Sequence, residues 1–260
     1  MNKLNSISSH TLQLFNFRRL IGHFKLHCIP GCIVLFFVST LIFMVFPQID
    51  LWVSSFFYSG QGQFPANNLW WVKAVYHGTP WVGRCLLIFS ICVLLIAIFK
   101  PEKISRRHWR RAASYAAIVV LGIGLLVHVI LKDGMGRPRP RDVQVFAGTT
   151  AFVPAFTPSQ FCSTNCSFVS GHAAVGFSLM SFGMLGVRRR RQFWLMAGLI
   201  SGSLIGLIRV VQGGHFLSDV VFSFVAIWVS HLLIRSVWIR FRLWQFHKAT
   251  VTIPQFKQSL

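Results

Sequence analysis

Apolar positions run along this chain in stretches far longer than a soluble helix or strand needs. Six of them, 28–46, 80–99, 112–131, 168–187, 193–208 and 216–234, are nearly free of charge. Each approaches the ~20 residues that carry an α-helix across a bilayer. A backbone inside hydrocarbon must satisfy its own hydrogen bonds, so such runs are read as helices. The last three each carry a polar group near one end, and polar groups at that depth face a bundle interior or a water-filled cavity. The pattern predicts an all-α polytopic membrane protein, a bundle of six transmembrane helices. The first run follows about 27 residues and lacks a small-residue cleavage pattern, so it reads as a span and not as a removable signal. No repeat or low-complexity linker interrupts the chain. The organisation expected is an N-terminal segment 1–27, one membrane domain 28–239 and a basic tail 240–260.

Composition agrees with this reading: 54% of residues are hydrophobic, 26 are phenylalanine, and only 12% are charged. The net charge of +21 would on a soluble protein point to nucleic acid. Here the cations sit in short clusters between apolar runs instead of on a solvated face, which excludes nucleic acid as a partner. The clusters orient the bundle. If the six spans alternate, 19 of the 26 lysines and arginines fall on one side, including 100–111, Arg188 to Arg191 and the tail. Cations stay in the cytoplasm, which places both termini there. Lys73, Arg84, Lys132, Arg137, Arg139, Arg141 and Arg209 are left on the outer side. The outer stretch 47–79 is rich in aromatics, among them Trp52, Phe56, Phe57, Tyr58, Trp70 and Trp71, which suit a membrane–water interface.

Three short motifs meet at the outer ends of these spans. Lys132 is followed by Arg139-Pro140 at the end of the third span. Ser170-Gly171-His172 opens the fourth. Arg209, His215 and Asp219 link the fifth to the sixth. In this order and spacing they form Lys-x6-Arg-Pro, Ser-Gly-His and Arg-x5-His-x3-Asp. The chain thereby resembles the type 2 phosphatidic acid phosphatase superfamily from about residue 80 to 235, with Val169 and Ile208 in place of the commoner proline and serine beside two motifs. The local sequences 161–172 and 212–219, and Pro47-Gln-Ile-Asp50, are similar to the bacterial lipid A phosphatases, closest to the 4'-phosphatase group.

The resemblance implies a membrane lipid phosphatase whose active-site loop faces the periplasm from a bacterial inner membrane, acting on a phosphorylated lipid. Phosphoryl transfer spreads negative charge over three oxygens, so fixed cations and donors carry the catalysis. Lys132, Arg139 and Arg209 supply charge, and Ser170 and Gly171 supply neutral donors at a helix start. His215 is the expected nucleophile, forming a phosphohistidine. Asp219, one helical turn on, is expected to accept the other imidazole N–H. His172 is expected to protonate the leaving oxygen and then activate water. No metal, cofactor or obligate protein partner is implied; membrane lipids are the surroundings.

Other residues carry weaker expectations. Arg137 and Arg141 either hold Asp133 or Asp142 or contact an anionic headgroup. Cys162 and Cys166 lack the ligands that would complete a metal set, and an oxidising compartment favours a disulfide between them. Cys28, Cys32, Cys85 and Cys92, in apolar runs, are read as small buried residues, and His128 and His231 as core residues. The same catalytic motifs serve an undecaprenyl diphosphate or phosphatidylglycerophosphate phosphatase. A permease is the alternative outside enzymes, against which the intact set of charged groups argues. Soluble vanadium haloperoxidases share a related pocket, but six apolar runs exclude them.

Overall fold

A computed structural model describes residue 31 and residues 33–255, with side chains through residue 245. The expected N-terminal segment 1–27, the start of the first span, and Cys28 and Cys32 lie outside the described residues. Two compact units are present, Met1–Leu41 and Ile42–Leu260, and the second holds every candidate site residue. Among the described residues the protein is helical, and its β structure is a single isolated bridge between Val143 and Thr150.

Among the described residues seven longer helices follow one another: α1 (Ile33–Val45), α2 (Gln48–Ser55), α3 (Trp70–Phe99), α4 (Arg106–Asp133), α5 (Gly171–Ser178), α6 (Arg188–Val211) and α7 (Leu217–Gln255). Helix α4 winds as an α-helix to Ala117 and in wider π form from Ile118. Four helices, α3, α4, α6 and α7, are long and apolar enough to cross a membrane. A fifth span results if α1 and α2, which meet at an 80° bend, are one broken span. This is a polytopic all-α membrane protein, and its outer faces are correspondingly apolar: Ile88, Phe89, Val129, Leu204 and Val237 are all exposed.

The stretch 168–187, expected as the fourth span, is not one of the four long helices, although it leads from the site end of α4 to the start of α6 at the opposite end. It holds the eight-residue α5 and a tighter turn of helix, Leu179–Gly183. At 1.5–2 Å per residue these reach roughly 22 Å, short of the ~30 Å hydrocarbon thickness. Its apolar character has another cause. Gly171, Ala173, Ala174, Gly176, Phe177 and Ser178 are buried, and α5 packs against α3, α4, α6 and α7. A segment lined by protein instead of lipid can be short and irregular.

Small residues bring α6 onto α5. A Cβ on Gly176 would lie 2.6 Å from the Gly202 Cα, and one on Gly202 would enter the Phe177 ring. Close backbone approach of this kind is how helices associate where the hydrophobic effect offers nothing.

Two further expectations change. The second span begins at Trp70, not residue 80, because Pro80 lies inside α3. Helix α3 is thus about 45 Å long, more than the ~30 Å hydrocarbon thickness requires. Cys85 and Cys92 are exposed on α3, not buried; a thiol is apolar enough to face lipid. His231 is buried as expected, 2% exposed and stacked on Trp228.

The aromatic stretch 47–79 divides by role. Phe57, Tyr58 and Phe64 pack with Val143, Phe146 and Phe216 into a cluster beside the motif loops. Trp52, Phe56, Trp70 and Trp71 stay exposed.

Candidate active site

The three motifs converge. Ser170 donates its backbone N–H to the Asp219 carbonyl at 3.1 Å, and the Ser223 hydroxyl donates to the Ser170 carbonyl at 2.8 Å. These bonds join the start of α5 to the first turns of α7. The loop after α4 joins the same point: Ser167 N–H donates to the Arg137 carbonyl at 2.8 Å, and Arg141 N–H to the Gly213 carbonyl at 3.1 Å. Lys132 at the end of α4, Arg209 at the end of α6 and His215 in the turn before α7 are all buried. Lys132 has Arg139, Arg209, Asp219 and Asp133 as its charged neighbours.

His215 is held through one ring nitrogen. Its Nδ1 lies 2.8 Å from the Ser167 carbonyl, which can only accept, so Nδ1 carries the proton. In a neutral ring Nε2 then bears the lone pair, the nucleophilic position. The Asp219 carboxylate is 3.5 Å from the same Nδ1. The expected tautomer control is therefore divided: the Ser167 carbonyl takes the hydrogen bond, and Asp219 stands behind it as a charge. Burial pushes the His215 pKa down to about 3, against the opposing effect of Asp219 and with that of Arg209. At neutral pH the imidazole is uncharged, the form a nucleophile requires.

The Asp219 carboxylate has three further partners. Arg137 Nη1 donates to it at 2.6 Å, the Ser167 hydroxyl at 2.5 Å and Phe216 N–H at 2.8 Å, completing its hydrogen bonding before any substrate arrives.

Arg137 corrects an expectation. It is 1% exposed, and its partners are not Asp133 or Asp142 but Asp219 and, at 2.8 Å, Asp50 of α2. Its Nε donates to the Val153 carbonyl, and its guanidinium lies 4.3 Å from the centre of the Phe216 ring. A side chain so enclosed does not reach a lipid headgroup. Arg141, 43% exposed, stands 3.8 Å from Asp142 and is open to solvent.

Tyr76, on the part of α3 that extends past residue 80, enters the site. Its ring stacks on His172 at 4.9 Å, its carbonyl accepts from His172 Nε2 at 3.0 Å, and the Arg209 guanidinium lies 4.6 Å over its face. Arg209 Nη1 also donates to Gln212 Oε1. Its Nε is buried and has no hydrogen-bond partner. Gly214 makes room for that guanidinium, because a Cβ there would lie 2.7 Å from Arg209 Cζ.

Arg139 donates to the Asn165 carbonyl at 2.6 Å, in the loop that the Cys162–Cys166 disulfide closes. Ser170 caps α5, its hydroxyl accepting from Ala173 N–H at 3.4 Å with its own proton left to donate. His128, expected in the core, is exposed; its imidazole edges Gly171, where a Cβ would come within 3.2 Å. Among the described residues no group of three or more His, Cys, Asp or Glu side chains is placed to hold a metal.

Asp50, Tyr76, Ser167, Ser218 and Gln212 are the residues of this site that motif reading did not select. Asp50, Ser167, Gln212 and Ser218 lie in the stretches that carry the family resemblance, which gave them no role, and Tyr76 left no signal.

A buried neutral histidine, backed by a carboxylate and set among Lys132, Arg139 and Arg209, none of which forms an ion pair among the described residues, defines a membrane-embedded phosphohydrolase. The chain belongs to the PAP2 superfamily, whose family model matches residues 112–242. Among curated proteins it is similar to the lipid A 4'-phosphatase of Francisella tularensis subsp. novicida (strain U112), 32% identical over 220 residues that cover 83% of this chain and 97% of the relative. The lipid A 4'-phosphatase of Rhizobium leguminosarum is 29% identical, covering 74% and 87%, and that of Rhizobium etli is 29% identical, covering 74% and 79%. No solved structure matches the chain.

Proposed function

We propose that this protein removes a phosphate from lipid A, at the 4' position, on the periplasmic face of a bacterial inner membrane. The observation that carries the chemistry is the buried Arg209, with an unpartnered Nε, near enough to His215 for its charge to act on the imidazole. A buried cation with a spare donor is costly unless an anion completes it. A phosphomonoester is such an anion, and Lys132, Arg139 and Arg209 are there to meet its oxygens.

In the first step His215 Nε2 attacks phosphorus, the P–O bond to the sugar breaks, and His172, which takes a proton on Nδ1 as the anionic phosphate binds, passes that proton to the departing oxygen. With His172 Nε2 engaged by the Tyr76 carbonyl, Nδ1 is its transferring atom. In the second step His172 takes a proton from water, the hydroxide attacks phosphorus, the P–N bond breaks, and inorganic phosphate leaves. Asp219 offsets the positive charge that develops on His215. Arg141, exposed at the loop, is positioned to meet a second phosphate of the headgroup.

Lipid A mass spectra from cells with and without the protein test the substrate. Loss of one phosphate, mapped to the 4' position, is the expected result. An unchanged spectrum from cells with verified membrane expression, together with phosphate release from undecaprenyl diphosphate by the purified protein, would overturn it.

A further inference from the structure

The end of the bundle far from His215 has a feature that the phosphatase chemistry does not use. A cavity of about 270 Å³ opens there, lined by Arg106, Arg107, Arg110, Arg111, Arg190 and Arg242. The same three long helices that bear site residues at one end bear these arginines at the other. Arg190 and Arg209 are separated by roughly 28 Å along α6, and Asp219 and Arg242 by roughly 35 Å along α7. The cavity is therefore separate from the candidate active site.

Clustered cations at helix ends are ordinarily a solvated face, and charge alone would say nothing. This cluster has a built interior. Ser181, 2% exposed, lines the cavity, and its hydroxyl is buried without a hydrogen-bond partner; so is the Nε of Arg110. Buried polar atoms are nearly always paired, so two orphan donors at one cationic cavity mark a missing acceptor. No acidic side chain lines the cavity. Gly186 shapes it: a Cβ there would come within 3.3 Å of Arg190 Cγ and Cδ, so glycine lets the arginine stem lie across the turn.

We propose that this cavity binds the phosphodiester headgroup of an anionic phospholipid from the surrounding leaflet, as a non-catalytic site. Arginine forks match phosphate oxygens in pairs, and basic pockets between transmembrane helices hold anionic headgroups. Leu185 and the exposed Val187 share the lining with the arginines. That mixture suits a glycerol and acyl chain attached to the phosphate better than a free anion.

Native mass spectrometry of the full chain, released from detergent after titration with cardiolipin, phosphatidylglycerol or phosphatidylcholine, tests this. Cardiolipin and phosphatidylglycerol should be retained at least tenfold better than phosphatidylcholine. The double variant Arg110→Gln/Arg190→Gln should weaken retention at least fivefold. The charge-matched Arg188→Gln/Arg189→Gln, at positions that do not line the cavity, should stay within twofold of wild type. Ser181→Val, which fills the floor without changing charge, should also weaken retention, and phosphate release by each variant reports that it is folded. Equal retention in all variants, or equal loss in the cavity and control pairs, would overturn the proposal. So would pyrophosphate binding more tightly than any lipid with the same arginine dependence, since the ligand would then be a soluble phosphate.

Discussion

Arg137 donates to Asp219 at 2.6 Å with both side chains out of contact with solvent, and it donates to Asp50 at 2.8 Å from its other terminal nitrogen. One guanidinium thus fixes the carboxylate behind His215 and ties α2 to the first turn of α7. Ser218 completes the joint, donating N–H to Asp50 Oδ1 at 2.9 Å and its hydroxyl to Asp50 Oδ2 at 2.5 Å. The charge behind the candidate nucleophile is held by an arginine enclosed between two carboxylates.

Removing that guanidinium strands two buried carboxylates. Arg137→Met should destabilise the protein by about 3–5 kcal/mol, the usual cost of breaking a buried pair from one side. Thermal unfolding in detergent reads this directly. Asp219→Asn keeps the shape but withdraws the charge behind His215. Turnover should fall on the order of a hundredfold or more, with KM little changed. A large loss of stability with normal turnover in Asp219→Asn would show that the carboxylate only holds the fold.

Gly214→Ala places a methyl against the Arg209 guanidinium, which Tyr76 and Gln212 already confine. The arginine must shift from its place beside His215. The expected outcome is a drop in kcat/KM of about tenfold or more, from misplacement of a charge that acts in the transition state. Unfolding temperature should barely change, and steady-state kinetics beside a melting curve check both halves.

The loop that bears Asn165 is closed by Cys162–Cys166, and Asn165 accepts from Arg139. Neither cysteine should react with a membrane-impermeant maleimide in intact spheroplasts until reductant is added. Cys162→Ser should then raise KM severalfold, because Arg139 loses a fixed anchor while the buried histidine keeps its own. Labelling of both thiols without reductant would contradict the bridge.

Reporter fusions after Lys100 and after Arg191 should report cytoplasm, and a fusion at Gly148 should report periplasm. This follows from the arginine clusters at one end of α4, α6 and α7 and the candidate site at the other. Gly148 on the cytoplasmic side would reverse the orientation and the location of the chemistry together.

The motif residues were legible because each sits at the end of an apolar run, where composition changes abruptly and the spacing is short. Asp50 and Arg137 stand 87 positions apart, and nothing local announces such a pair. Tyr76 was hidden by Pro80, which reads as the start of a helix but lies within one. The stretch 168–187 differs from the expectation in form: it carries the chain from the candidate site to the arginine end as a short helix and a tighter turn enclosed by neighbouring helices, because hydropathy responds to burial in protein and burial in lipid alike. Cys85 and Cys92 are the converse case, apolar positions whose exposure reflects a lipid-facing helix.

The central claim is that His215 carries the phosphate. Purified protein mixed with lipid A labelled at the 4' phosphate, and quenched in alkaline detergent within one turnover, tests it most directly. Phosphohistidine survives base and is lost in acid, so base-stable, acid-labile label should be found on the peptide containing His215, with or without EDTA. His215→Ala should carry no label and release no phosphate. Label on another residue, or phosphate release by His215→Ala that depends on an added divalent cation, would contradict the account.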